Sequence, residues 1–510
     1  NYTWEDGGRN EMAVLVENVE GRGGIDDAVL YNRPALWQDD PKMQSVKTAA
    51  VDFDDSGWEE VRVPHDFVVG GEFNPMGADK PQGIREGELW YDRDHGFKSK
   101  GVGWYRRHFE LLAADEGKRI WLEFDGIYRN SDVWVNGQWL GHHWSGYTGF
   151  YYDITDTANF GGKNVVTVRA DADWDEGWWY EGGGIYRHAW LTKLDPLHVG
   201  HWGTFVTTPE ITEELAAVNI QTTIVNDSAE SMECTLTSTV TDADGKSVAT
   251  SETQQTIPAG QEYEFSQDMT IQEPTLWSLE NPYLYAVKTT VKSGGRVTDR
   301  YETPLGVRYF NFDGNGFSLN GKRVKINGTN SHHDFAGVGV ALPDRINAYK
   351  IEKLKEMGSN GYRTMHNQHT AEVLDAADRL GILVMNENRH MGDSEEVLAT
   401  VESLVRRDRN HPSIIIWSMY NEGLKQGYEV AAKQYKAMQD VVKRWDPTRP
   451  TIGPMGPTGG ARSPEETNLL SLANLTEVVD VRGFDPDNYD EYHALNPDQP
   501  MVSLENGYAR

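Results

Sequence analysis

The sequence predicts three domains: two all-β units followed by a parallel βα barrel. Three observations lead there. The chain has 510 residues, and at about 150 residues per domain that length accommodates three. Up to about residue 308 the patterning is of strands alone. From about residue 320 strands and helices alternate, as a sheet of parallel strands with helical crossovers requires.

Composition narrows the function classes. Acidic residues outnumber basic ones, 79 to 48, for a net charge of −31. A phosphate backbone attracts clustered Lys and Arg, so a nucleic-acid partner is disfavoured. Mean hydropathy is −0.62, and no apolar run is long enough to span a bilayer, which argues against a membrane partner. The single cysteine, Cys234, makes neither an internal disulfide nor a multi-thiolate metal site. Seventeen Trp, 23 Tyr and 51 Gly suit twisted strands and aromatic-lined sites. The first residue is Asn, with no basic-then-apolar leader before it. Either a leader was removed or the sequence starts late, and a periplasmic or secreted location is the expectation.

Residues 1–195 form the first unit, with strands in RIWLEFDGI, SDVWVNGQWLG and NVVTVRADA. The Asn136-Gly137 pair between two such runs predicts a hairpin. Residues 196–308 carry Thr-rich strands at roughly ten-residue spacing, the dimensions of an immunoglobulin-like sandwich. Residues 309–510 form the barrel. Its strands are expected in KRVKING, GYRTMH, ILVMNEN, SIIIWSMYNE, PTIGP, DVRGF and PMVSLE. Helices are expected over RINAYKIEKLKEMG, TAEVLDAADRLG, SEEVLATVESLVRRDRN, YEVAAKQYKAMQDVVKRWD and NLTEVV. That makes seven strands, and an eight-stranded barrel needs one more.

In a βα barrel the active site lies at the C-terminal ends of the strands. The polar residues expected there are Asn330, His332, His333 and Asp334; Arg363, His366 and Asn367; Asn386, Glu387 and Asn388; Asn421 and Glu422; Asp485; and Glu505 with Asn506. Glu422 and Glu505 each follow a buried apolar strand. Paired carboxylates in a cleft are the minimum equipment for glycosidic bond cleavage. Capping a helix or pairing with an arginine is the competing explanation for either one. His332, His333, His366 and His369, with Asp334 close by, raise the question of a metal. Adjacent histidines on a strand end point in different directions, so hydrogen bonding to sugar hydroxyls is preferred and no metal is assigned. A divalent cation is permitted without support, and no other cofactor is implied. Arg363 is the one rim cation placed firmly, too little for an acidic sugar.

The motifs then align with a known family. DDSGWEEVRVPHDF (54–67), GVGWYRRHFE (101–110), FDGIYRNSDVWVNGQWLGHHWSGYTGF (124–150) and GGGIYRHAWL (182–191) are followed by NGTNSHHDFAGVGVALP, KEMGSNGYRTMHNQHT, DRLGILVMNEN and WSMYNEG. In that order they resemble glycoside hydrolase family 2, the β-galactosidases, β-glucuronidases and β-mannosidases, from about residue 50 to the end. The resemblance implies a jelly-roll sugar-binding domain, an immunoglobulin-like sandwich and a (β/α)8 TIM barrel lacking its last strand in this chain. It implies a retaining exo-β-glycosidase, most like a β-galactosidase, with Glu422 as acid/base and Glu505 as nucleophile. Their carboxylates would then lie ~5–5.5 Å apart. Asn421, His332, His333, Asp334, Arg363, His366, Asn367, Glu387 and Asp485 would bind an oligosaccharide. β-Glucuronidase activity, or an inactive carbohydrate-binding form, is the alternative, and a homo-oligomer stays open. The chain departs from the family in Asn386-Glu387 for Asp-Glu and in Gly483-Phe484-Asp485-Pro486 for Gly-Tyr-Asn-Tyr, where Tyr489 is the substitute. The family's Asn-x-Lys element of β-glucuronidases is not visible. Trp174, Trp178, Trp179 and Tyr180, just before a Gly-rich loop that approaches the mouth in relatives, are candidate sugar-stacking aromatics, with core packing as the competing explanation, and Glu181 in that loop is a candidate hydroxyl acceptor.

Overall fold

The computed structural model describes residues 46–73, 96, 98, 100–173, 176–177, 179–422, 428–454, 476–481 and 486–505. Asp485, Asn506, Trp174 and Trp178 lie outside the described residues, as does the side chain of Tyr489.

The first unit is a jelly-roll sandwich built from β1 (Val102–Glu110), β2 (Arg119–Phe124), β3 (Ser131–Val135), β4 (Gln138–His143), β5 (Phe150–Asp153), β6 (Lys163–Asp171) and β7 (Ala189–Leu194). One sheet runs β1-β6-β3-β4 and the other β5-β2-β7. Alternate residues Ile120, Leu122 and Phe124 meet Val133, Val135, Val166 and Val168 in the core. The Asn136-Gly137 turn is present between β3 and β4, with φ of 52° and 81°, as a type I′ hairpin requires.

The second unit contains β8 (Leu197–Ile211), β9 (Leu215–Asn226), β10 (Met232–Thr241), β11 (Ser247–Ile257), β12 (Gln261–Gln272), β13 (Tyr285–Ser293) and β14 (Arg296–Leu305). Sheets β11-β10-β13-β14 and β12-β9-β8 pack through Val218, Ile220, Val240 and Val287. Strict alternation of buried and half-buried residues along β9 reads out the two faces directly.

A small antiparallel sheet, β15 (Phe310–Asp313), β16 (Gly316–Leu319) and β17 (Lys322–Arg323), precedes the barrel. It corrects the expectation of a barrel strand over KRVKING. Asn320 and Gly321 have φ of 51° and 75° and turn the chain back, so the charged, alternating Lys322–Arg323 pairs with β16. The first barrel strand is β18, Gly328–Ser331.

The parallel sheet then runs β18-β19-β20-β21-β22, with β19 Gly361–Thr364, β20 Leu383–Glu387, β21 Ile414–Ser418 and β22 Thr451–Ile452. A parallel pair, β23 (Val479–Asp480) and β24 (Met501–Val502), brings the parallel strands among the described residues to seven. Asn330 Nδ2 donates to the Leu504 carbonyl at 2.8 Å, tying the first strand to the chain just after the seventh. Helices α1 (Asp344–Glu356), α2 (Ala371–Leu380), α3 (Glu395–Asp408), α4 (Tyr428–Trp445) and α5 (Pro486–Leu495) cover the strands. Val384 and Ile414 face the helices, whereas Leu383, Met385 and Ile416 pack on Phe312 and Phe317 of the small sheet. Residues 476–479 of the expected NLTEVV helix are not helical: Val479 pairs with Met501, so the sixth strand starts there. Helix α5 was not foreseen.

Candidate active site

β19 places Arg363 directly opposite Asn330 of β18 and Met385 of β20. All four residues of β19 are buried, so the guanidinium leaves water and needs partners for its donors. It finds them at the strand ends. Nε and Nη2 donate to Glu387 Oε2 at 2.9 and 2.7 Å, Nη1 to Glu505 Oε1 at 2.6 Å, and Nη2 to Asn421 Oδ1 at 2.9 Å. Burial works against the charge on Arg363, but Glu387 and Glu505 outweigh it and its pKa rises.

Glu387 is fully buried and satisfied on every side. Ser418 Oγ donates to Oε2 at 2.7 Å, and the Glu387 backbone N–H donates to Thr364 Oγ1 at 2.8 Å. His366 Nδ1 lies 2.7 Å from Oε1. A carboxylate only accepts, so Nδ1 carries the proton in this contact. Glu387 thus holds Arg363 and His366 in place. Asn386 turns outward, donating to Asp408 Oδ2 at 2.7 Å.

Asn421 and Glu422 follow β21. Glu422 is half-buried, has φ of 54°, and its N–H donates to the Pro454 carbonyl at 3.3 Å. A non-glycine residue held in the left-handed region costs ~1–2 kcal/mol, and such positions cluster at functional sites.

The histidines divide between two environments. His332 stands at the mouth, 5.6 Å from His366 between ring centroids. Its neighbour His333 points the other way, into the seam with the jelly roll, with Nδ1 3.2 Å from Asn367 Oδ1 and its ring beside Tyr147 and Tyr186. His333 and Asn367 are therefore not joined to the Arg363 cluster. Burial, then neighbouring cations and histidines, pushes His332, His333 and His369 well below the ordinary imidazole value. Asp334 is raised, by burial first; Lys350 of α1 donates to the carbonyls of His332 and Asp334 at 2.6 and 3.1 Å. Among the described residues, the His and carboxylate groups close enough to share an ion are His188–Asp344–Glu372 and Asp375–Asp378–His411. Neither includes a residue expected at the mouth.

The jelly roll contributes to this mouth. Trp179 stacks on His332 at 4.6 Å and 22°, and the Arg389 guanidinium sits 4.7 Å from its ring centre. With 8% exposure, the ring packs on protein groups. Glu181 is buried completely and accepts a hydrogen bond from Tyr147 Oη. The residues that sequence reasoning missed are Ser418, Lys350, Arg389 and Glu176. Arg389 had a signal, since it directly follows Asn388 on the rim; the others acquire their role only through tertiary contacts.

Comparison with known proteins accords with this architecture. Models of Glycosyl hydrolases family 2 match the chain in order: its sugar binding domain over 41–194, a further family 2 domain over 199–308, and its TIM barrel domain over 310–396 and 390–509. Beta-galactosidase BoGH2A of Bacteroides ovatus is 36% identical over 91% of this chain and 58% of its own length. A beta-glucuronidase of Formosa agariphila is 31% identical over 78% of this chain and 42% of its own. The crystal structure of a glycosyl hydrolase family 2 member from Bacteroides cellulosilyticus superposes with a TM-score of 0.82 at 32% identity, covering 89% of this chain and 59% of that one. The chain thus spans 42% to 59% of the length of these relatives. With three family domains matched in order and the jelly-roll, sandwich and barrel all present, the chain belongs to glycoside hydrolase family 2.

Proposed function

We propose that the protein is a retaining exo-β-glycosidase, with β-galactosides as its substrate class. The observation that carries this reading is the buried Arg363 guanidinium, which holds the Glu505 carboxylate at 2.6 Å and the Asn421 amide at 2.9 Å in one cluster. A charge-assisted bond of that length suits a carboxylate that acts as an anion. In the first step Glu505 attacks the anomeric carbon while Glu422 protonates the departing glycosidic oxygen; the aglycone leaves as an alcohol and a glycosyl ester forms. In the second step Glu422 takes a proton from water, which attacks the same carbon and releases Glu505. Asn421 hydrogen-bonds the sugar 2-hydroxyl, and His332 and His366 take other hydroxyls.

Preference for a neutral sugar has its own support. Among the described residues the cations at this mouth are engaged by protein: Arg363 by Glu387 and Glu505, Arg389 by Glu176, and Lys350 by two carbonyls. A glucuronide carboxylate needs a further cation. Aryl β-galactosides are therefore expected to be cleaved well ahead of aryl β-glucuronides.

The test uses two variants. Glu422→Gln is expected to keep cleaving aryl glycosides with acidic leaving groups, to be rescued by azide, and to lose ~10²–10⁴-fold on disaccharides. Glu505→Gln is expected to lose every substrate. Equal losses of Glu422→Gln on both leaving groups, without azide rescue, overturn the assignment. Sugar binding without turnover by the unaltered protein indicates a carbohydrate-binding protein instead.

A further inference from the structure

Two buried carboxylates hold the segment of the jelly-roll domain that reaches the barrel mouth. Glu181 faces its own domain: Tyr147 Oη donates to Oε1 at 2.9 Å, and Lys100 Nζ lies 3.3 Å from Oε2. Glu181 Oε1 also accepts the Glu176 N–H at 2.9 Å, closing the segment on itself. Glu176 spans the seam between the jelly roll and the barrel. Its Oε1 pairs with Arg129 Nη2 at 2.7 Å, its Oε2 with His390 Nε2 at 2.9 Å, and its carbonyl accepts from Arg389 Nη2. Arg389 and His390 are consecutive residues beyond the third barrel strand, so one jelly-roll residue grips two neighbours on the rim. Burial disfavours the Glu176 anion, but Arg129, His390 and Arg389 outweigh it and hold its carboxyl at about 2.

Trp179 lies between the two anchors. A Cβ at Gly177 would overlap the Trp179 ring, so the ring folds back tightly over its own backbone. The ring lies against His332, against the Arg389 guanidinium, and edge-on to His366 at 5.6 Å and 61°. His366 in turn bonds Glu387, which holds Arg363 and through it Glu505. We infer that Glu176 is a positioning residue: by clamping Arg389 and His390 it sets Trp179 against His332 and His366, and thereby fixes the two imidazoles that face the sugar. The inference rests on the glycosidase reading of the mouth and adds that the first domain shapes that site.

The experiment compares Glu176→Gln with His390→Gln. The first leaves Arg129 buried without its anion and risks misfolding. The second removes the cross-seam bond to Glu176 and a ring contact with Trp144, from a side chain that is 33% exposed, and leaves the Arg129–Glu176 pair intact. Each is crystallised, and kcat and KM are measured on an aryl β-galactoside and its monodeoxy analogues. The expected result is a Trp179 ring displaced from His332 and a loss in kcat/KM on the order of 10–100-fold. That loss shrinks on the analogue lacking the hydroxyl the imidazoles bind. An unmoved Trp179, unchanged kinetics with a displaced ring, or an equal loss on every analogue overturns the inference. If the unaltered protein cleaves no aryl glycoside, the proposed function fails by itself. The variant structures then decide alone, a displaced ring supporting the clamp and an unmoved ring refuting it.

Discussion

Arg363 carries one positive charge, is itself buried, and faces two carboxylates, Glu387 and Glu505. Its planar fork meets several acceptors at once, which a lysine ammonium cannot reproduce. Arg363→Lys is therefore expected to fold yet lose ~10²-fold or more in kcat/KM, since a small misplacement of reacting groups costs that much. Kinetics beside a thermal melt check it; near-unaltered turnover contradicts the role. His143, at the end of β4, is pushed down to about 3, chiefly by burial. Its folded value lies below the unfolded one, so its stability is present above about pH 6.5 and is lost as pH falls toward 3. By pH 5 the unaltered protein should have lost on the order of 2 kcal/mol relative to His143→Gln, at ~1.36 kcal/mol per unit. Urea unfolding of both proteins at pH 7 and pH 5 measures it. Asn421, Glu422 and Glu505 stand out in the sequence because they follow apolar runs, three to four residues past the ends of β21 and β24. Glu176 could not: its partner Arg389 is 213 residues away in the chain.

At the scale of elements, a segment was legible where one periodicity dominated it. The strand Ile414–Ser418 and the helix Glu395–Asp408 announce themselves through unbroken or 3.6-spaced apolar residues. Helix α5 has Pro at its first position, as helices favour, and among its described side chains Tyr492 packs against Val479, Val481 and Met501. Its sequence PDNYDEYHAL carries no 3.6-spaced apolar stripe to read. The Gly-rich segment before β7 shows how tightly elements can approach. Gly184 has φ of 117° and exchanges backbone bonds with Tyr128 at 2.9 and 2.8 Å. A Cβ there would overlap Tyr105 Oη and lie 2.9 Å from the His65 carbonyl. Gly184→Ala should cost about 3 kcal/mol or more through combined strain and overpacking. A fall in urea midpoint reads this directly, and an unchanged midpoint refutes it.

At the scale of the molecule, buried arginines fasten the domains through backbone carbonyls. Arg187 donates to the Tyr147 carbonyl of the jelly roll at 2.8 Å and to the Gln368 carbonyl of the barrel at 2.5 Å. Arg409 reaches the Trp202 carbonyl of the sandwich at 3.2 Å. Arg187→Met orphans buried carbonyls at about 1–3 kcal/mol each, and calorimetry should then show the jelly roll melting ahead of the barrel. A single undivided transition at the original temperature contradicts that coupling. The central claim, double displacement through Glu505, is tested most directly by trapping. The protein is incubated with an activated 2-deoxy-2-fluoro-β-galactoside, digested, and the labelled peptide sequenced by mass spectrometry. The account predicts one sugar per chain, esterified to Glu505. A label on Glu422 or Glu387, or continued turnover without any covalent adduct, would contradict it.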